Sequence, residues 1–232
     1  AARGVRLLSL RGERRFLETI RATPEHTFGL ILALLRRYGR AFSDVATGRW
    51  DRDACRGEEL RGNRVGIVGL GRVGYRVAAY CSVFGADVAW CDPEDVPSEP
   101  AWRKLPDVAS VIAESRIVVL CASHRAGQPP IFGEREIAAL AGRYFVNTAR
   151  GELVDEPALL AALRDDRLAG AAIDVIADEN GDNRLNEWRA LLPGRNIVVT
   201  PHIGGATFDS MARTELFMAE KLEASISQGA AA

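Results

Sequence analysis

Lysine is almost missing from this chain: among 232 residues only Lys104 and Lys221 carry an ammonium group, so the positive charge rests on arginine. Lys and Arg together number 30 against 31 Asp and Glu, a formal net charge of -1. The arginines are dispersed among acids and form no basic stripe, which argues against nucleic acid as a partner. Apolar runs of membrane length are missing too, as is a charged start leading into an apolar core and a cleavage site; the expectation is a cytoplasmic protein with no membrane contact. Cys55, Cys81, Cys91 and Cys121 contain no C-x-x-C pairing, which predicts buried free thiols, with neither disulfides nor a metal. There is no internal repeat and no low-complexity segment.

What is present begins with glycine. The apolar run Val65-Gly66-Ile67-Val68 breaks into Gly69-Leu70-Gly71-Arg72-Val73-Gly74 and resumes as an Ala-rich helical stretch from Tyr75 to Phe84. In this G-x-G-x-x-G order the first glycine turns off a strand, the second lets backbone approach a pyrophosphate, and the third lets helix and strand pack closely. A diphosphate would rest on the N–H groups that open the helix, around Arg72 and Val73. A second strand, Asp87 to Cys91, ends on Asp92, at the distance expected of a carboxylate that grips ribose hydroxyls. Pro93, Glu94 and Asp95 follow with acid and no cation, which favours NAD over NADP. Asp92-Pro93 could also be a plain turn.

Strand-like and helix-like runs then alternate: Ile117 to Ala122, a helix from Glu134 to Ala141, Tyr144 to Thr148, a helix from Glu156 to Asp165, Ala171 to Val175, and Ile197 to Thr200. Strands apolar throughout are buried on both faces, so the fold class is α/β, a doubly wound parallel sheet of Rossmann type. In such sheets ligands bind at the carboxyl ends of strands. Upstream, Thr23 as N-cap and Pro24 open a helix through about Arg37, with Leu30, Ile31, Leu34 and Leu35 on one face. A last helix is expected over Thr207 to Ser227, with Gln228 to Ala232 fraying. The stretch from Pro93 to Pro106, with four prolines, is the most irregular.

Four segments resemble successive signatures of the D-isomer-specific 2-hydroxyacid dehydrogenases: Gly69 to Gly74; Asn147-Thr148-Ala149-Arg150-Gly151-Glu152-Leu153-Val154-Asp155-Glu156; Gly170-Ala171-Ala172-Ile173-Asp174-Val175; and Thr200-Pro201-His202-Ile203-Gly204-Gly205-Ala206-Thr207. The resemblance implies an NAD-dependent oxidoreductase of small 2-hydroxy or 2-oxo acids, with Arg150, Glu179 and His202 as the catalytic set. It also implies cofactor contacts from Gly69, Gly71, Arg72, Val73, Gly74, Asp92, Thr148, Ala149, Asp174 and Gly204, Asp174 receiving the nicotinamide amide. By the same resemblance residues 1–22 are the end of a flavodoxin-like substrate domain, 23–206 the NAD-binding domain, and 207–232 a helix returning toward the substrate domain. It further implies a homodimer formed through the helix that Thr23 opens and the arm after it, although core packing explains the leucine stripe almost as well.

The chemistry of the residues agrees with the resemblance. Imidazole titrates near neutral pH and suits a proton donor, while the planar, permanently charged guanidinium can grip a carboxylate and a carbonyl together. Glu179, five residues after Asp174, would hold the other nitrogen of His202 and favour its protonated form. His26 reads as packing or capping, and His124, just past a strand, as the rival base. Two departures from the family stand out: Ser123-His124-Arg125-Ala126-Gly127-Gln128 replaces a P-x-T-x-x-T segment beside the cofactor, and Asn180 replaces a proline after Glu179. They keep open two alternatives, a non-catalytic NAD-sensing module of the corepressor kind and an isolated NAD-binding fragment.

Overall fold

Each apolar run becomes a strand whose successive side chains enter two different cores. In the computed structural model, which describes residues 7–229, α1 (Arg14–Leu17), α2 (Ala22–Leu35) and α3 (Tyr38–Ala46) precede the sheet. There follow β1 (Arg64–Val68), α4 (Arg72–Val83), β2 (Asp87–Cys91), β3 (Arg103–Lys104), α5 (Val108–Glu114), β4 (Ile117–Leu120), α6 (Glu134–Ala139), β5 (Tyr144–Asn147), α7 (Glu156–Arg164), β6 (Gly170–Ile173), α8 (Leu185–Leu191), β7 (Ile197–Val199) and α9 (Phe208–Gly229). The seven strands pair in parallel in the order β3-β2-β1-β4-β5-β6-β7. The order reverses between β1 and β4, which opens a crevice at the carboxyl ends of those strands.

Val65, Ile67, Ile117, Val119 and Val146 face the core under α2 and α4, while Val68, Val118, Leu120, Phe145 and Ile173 face the opposite core under α5 to α8. Both faces are covered, as the unbroken apolar runs require. Asp107 caps α5 by accepting the Ser110 N–H at 2.7 Å, and Asp155 caps α7 by accepting that of Ala158 at 3.0 Å. Among the described residues no helix is long and apolar enough to cross a membrane.

The structure corrects several expectations. Thr23 does not cap α2; the helix starts two residues earlier, at Ala22 after Arg21. Pro24 is tolerated inside the first turn because the N–H it lacks would have had no partner within the helix. The helix stops at Leu35, and Arg37 turns the chain with φ of 53°. Leu30, Ile31, Leu34 and Leu35 are all buried in the core over the sheet, so of the two readings of that stripe core packing holds and a free dimer face does not. The irregular stretch after Pro93 contains the short strand β3, and α9 extends through Gly229, two residues past its expected end; residues 230–232 of the anticipated fraying tail lie outside those described. The four cysteines are free, and burial pushes the thiols of Cys81, Cys91 and Cys121 up to about 12, far from reactive thiolates.

Candidate active site

The three glycines of the β1–α4 turn do three different jobs. Gly69 has φ of +92°, and a Cβ there would stand 2.7 Å from the backbone of Ala122. A Cβ on Gly74 would stand 2.0 Å from the carbonyl oxygen of Gly69, so this glycine lets α4 close against β1. A Cβ on Gly71 would meet nothing within 4 Å. The fold thus demands the outer two, while the middle one keeps clear the space in front of α4. Gly71 also gives α4 no side-chain cap, leaving the first N–H groups of a 12-residue helix for an anion.

Asp92 closes the other side of this turn. Its Oδ2 accepts the Leu70 N–H and its Oδ1 the Glu94 N–H, both at 2.9 Å. The bond to Glu94 is the turn geometry of the plain reading; the bond to Leu70 ties the carboxylate to the glycine loop. A carboxylate has about four acceptor sites, so two remain for hydroxyl donors. Folding does bring cations near, which the sequence had not suggested: Lys104 pairs with Asp95 at 2.9 Å and Arg125 reaches Glu94 at 3.9 Å. Each is matched to an acid, so among the described residues these cations are not left free for a 2′-phosphate.

The turn after β5 is built by Asn147, a residue given no role in the sequence reading. Its Oδ1 accepts the Ala149 N–H at 2.9 Å and its Nδ2 donates to the Arg150 carbonyl at 3.0 Å. The hydroxyl of Thr148 meets that of Thr27 at 2.7 Å, which anchors the turn on α2. Arg150 is exposed, donates only to the carbonyl of Ala149, and makes no ion pair among the described residues. A guanidinium presented without a counter-charge is ready for an anionic ligand.

Asp174, 2% exposed, organises the end of β6 and the loop after β7. Its Oδ1 accepts the Thr200 hydroxyl at 2.6 Å and the Ile203 N–H at 2.9 Å and lies 3.2 Å from His26 Nε2; its Oδ2 accepts the Gly204 N–H at 2.8 Å. Burial works to raise this carboxyl, and the bonds from His26, Thr200, Ile203 and Gly204 overcome it, so it lies below the ordinary aspartate value. Oδ2, with one partner, keeps room for a further donor. His26 is therefore more than packing or capping: with Thr200 it holds Asp174 from behind. Neither role was legible in the sequence, because both residues are chain-distant from Asp174 and only folding joins them.

His202 sits at φ of 52°, a region that non-glycine residues seldom adopt. The bond from its N–H to the Asp174 carbonyl, 2.8 Å, helps hold it there. Its Nδ1 lies 2.6 Å from Glu179 Oε2. A carboxylate partner fixes the hydrogen on Nδ1, so Nε2 is the nitrogen left to exchange a proton.

A cavity of about 460 Å³ at the carboxyl ends of the strands is lined by Arg72, Val73, Thr148, Ala149, Arg150, Asp174, His202 and Gly204. The structure thus brings these anticipated residues together. Glu179 reaches it through His202 and itself lines an adjoining cavity; Asp92 stands apart, beside the glycine loop. His124 also lines the 460 Å³ cavity, with no hydrogen bond or ion pair among the described residues. Arg72, Arg150 and the two imidazoles surround this space with Asp174 as the acid facing them, a balance suited to a dinucleotide and an acid substrate.

Comparison with known proteins gives the family. Residues 28–204 match the family model described as D-isomer specific 2-hydroxyacid dehydrogenase, NAD binding domain. The D-3-phosphoglycerate dehydrogenase of Archaeoglobus fulgidus is 33% identical over 206 residues, 87% of this chain and 38% of that protein. The hydroxypyruvate reductase of Thermotoga maritima is 31% identical over 206 residues, 87% of this chain and 65% of that protein. Among solved structures, D-lactate dehydrogenase from Aquifex aeolicus, complexed with NAD and lactic acid, superposes with a TM-score of 0.81 at 27% identity, covering 89% of this chain and 66% of that one. The chain belongs to the D-isomer specific 2-hydroxyacid dehydrogenase family, its residues 28–204 matching the family's NAD-binding domain, and it spans between about a third and two thirds of these relatives.

Two predictions follow the geometry. Gly74→Ala lowers stability by about 1–3 kcal/mol or more through overpacking, whereas Gly71→Ala leaves the melting temperature nearly unchanged and abolishes NADH binding. Thermal melts and NADH fluorescence titration check the pair, and equal effects on both readouts contradict it. Asp174 titrates lower folded than unfolded, so its stabilisation is complete above the unfolded value of 3.8 and is lost as pH falls through the folded one. Asp174→Asn therefore costs about 1–3 kcal/mol at neutral pH, and the gap to wild type narrows in acid. A gap independent of pH in melts would refute this.

Proposed function

We propose that this domain forms the cofactor-binding and catalytic part of an NAD-dependent dehydrogenase that interconverts small D-2-hydroxy acids and 2-oxo acids. The observation that carries the reading is the Glu179–His202 contact of 2.6 Å, with His202 bordering the same cavity as the unpaired Arg150. Arg150 binds the substrate carboxylate and polarises its carbonyl. His202 donates the Nε2 proton to the carbonyl oxygen in reduction and takes it back in oxidation. Glu179 orients the ring and stabilises the imidazolium from which reduction starts. Gly71, the opening of α4 and Asp92 hold the dinucleotide, and Asp174 takes the nicotinamide amide. When bound, NADH supplies the hydride that the carbonyl carbon receives.

Turnover of NADH with a panel of 2-oxo acids tests this. His202→Ala lowers the rate by on the order of 10²–10⁴-fold, with a much smaller loss in His124→Ala. Glu179→Gln moves the high-pH limb of the reduction profile to lower pH. Undiminished turnover without His202 sinks the mechanism, and tight NADH binding without turnover of any 2-oxo acid favours the NAD-sensing reading instead.

A homodimer is the second part of the proposal, supported by apolar surface beyond α2. Tyr38 stacks on Phe42 with ring centroids 5.5 Å apart, and Phe42, Val45 and Trp50 are exposed, Trp50 to 90%. An exposed apolar stretch of this kind marks an association surface. Sedimentation velocity should give a dimer that Phe42→Glu combined with Trp50→Glu converts to monomer; a wild-type monomer at all concentrations would end the idea.

A further inference from the structure

The proposed pair of Glu179 and His202 depends on a loop whose own anchor lies beneath it. Glu156, the first residue of α7, is 5% exposed. It accepts the indole N–H of Trp188 at 2.6 Å, and Trp188, on α8, is 1% exposed. The same side chain lines one small cavity with Ile176 and with Ala177, which stands two residues before Glu179. The turn carrying Arg150 leans on this loop as well: a Cβ on Gly151 would stand 2.1 Å from the carbonyl carbon of Ile176.

Burying a carboxylate is costly, and an apolar residue would fill the space without the penalty. Burial indeed pushes the Glu156 carboxyl up, against the hydrogen bond from Trp188. The charged groups facing it, Arg184 and Glu187, pair with each other at 2.6 Å and leave it without a cation of its own. What a carboxylate does here that an apolar side chain does not is accept the indole N–H of α8 while packed beside the backbone of the loop.

We propose that Glu156 is a positioning residue: by joining α8 to the Ile176–Ala177 backbone it fixes the loop that presents Glu179, and so sets how firmly His202 holds its proton. The inference rests on the reading that Glu179 and His202 act as a pair. It needs no catalytic turnover to be tested, because the chain has three histidines, whose Cε1–H resonances can be assigned by single substitutions and titrated by NMR. In Glu156→Gln a neutral amide replaces the charged acceptor, so the bond to the Trp188 indole is weakened, or lost where the amide nitrogen faces that donor. The His202 titration then moves to lower pH, toward its position in Glu179→Gln, while the His124 titration and the affinity for NADH stay as in wild type. Trp188→Phe removes one donor and leaves α7 intact; it shifts His202 the same way by less, and it decides the matter if Glu156→Gln does not fold. A His202 titration that moves in Glu179→Gln but in neither of these variants overturns the proposal. No movement in Glu179→Gln itself removes the pairing on which it rests.

Discussion

A single buried carboxylate, that of Asp174, holds the candidate site in shape. It ends β6, and its bonds to Thr200, Ile203 and Gly204 fold the segment after β7 around it. That folding forces His202 into a left-handed backbone conformation which the residue would not choose alone. The bonds that surround Asp174 therefore maintain the aim of the imidazole. Asp174 lines the cavity as well, and its Oδ2 has a single partner, so the group that shapes the protein side of the site keeps an acceptor position unfilled.

Around this anchor the sheet distributes labour by strand. The turn after β1 offers empty space and free N–H groups, the turn after β5 a guanidinium with no ion pair among the described residues, and the segment after β7 an imidazole already joined to a carboxylate. These contributions come from stretches far apart in sequence. They meet because parallel strands bring all their carboxyl ends to one edge of the sheet. Positive groups outnumber acids there, the reverse of the balanced charge of the whole chain, so the field at the cavity favours anions although the net charge does not.

Much of this was legible in the residues. The G-x-G-x-x-G spacing, the two-sided apolar strands and the position of Arg150 directly after one of them are local patterns that read directly as a turn, a buried sheet and a ligand-facing side chain. The supports were not legible. His26, Thr27, Thr200 and Glu156 are ordinary polar residues, and their roles depend on partners tens to more than a hundred positions away. The leucine stripe of α2 looked equally suited to a partner or a core, since periodicity gives a helix an apolar side without saying what covers it. The short strand β3 escaped because two residues between prolines carry no period to detect.

The most direct measurement is a crystal structure of the chain with NADH and oxamate, an isostere of a small 2-oxo acid that cannot be reduced. The account predicts the inhibitor carboxylate on Arg150, its amide oxygen hydrogen-bonded to Nε2 of His202, and the ring still held by Glu179 through Nδ1. Oxamate bound away from Arg150, or an imidazole turned off Glu179 in the filled site, would contradict it.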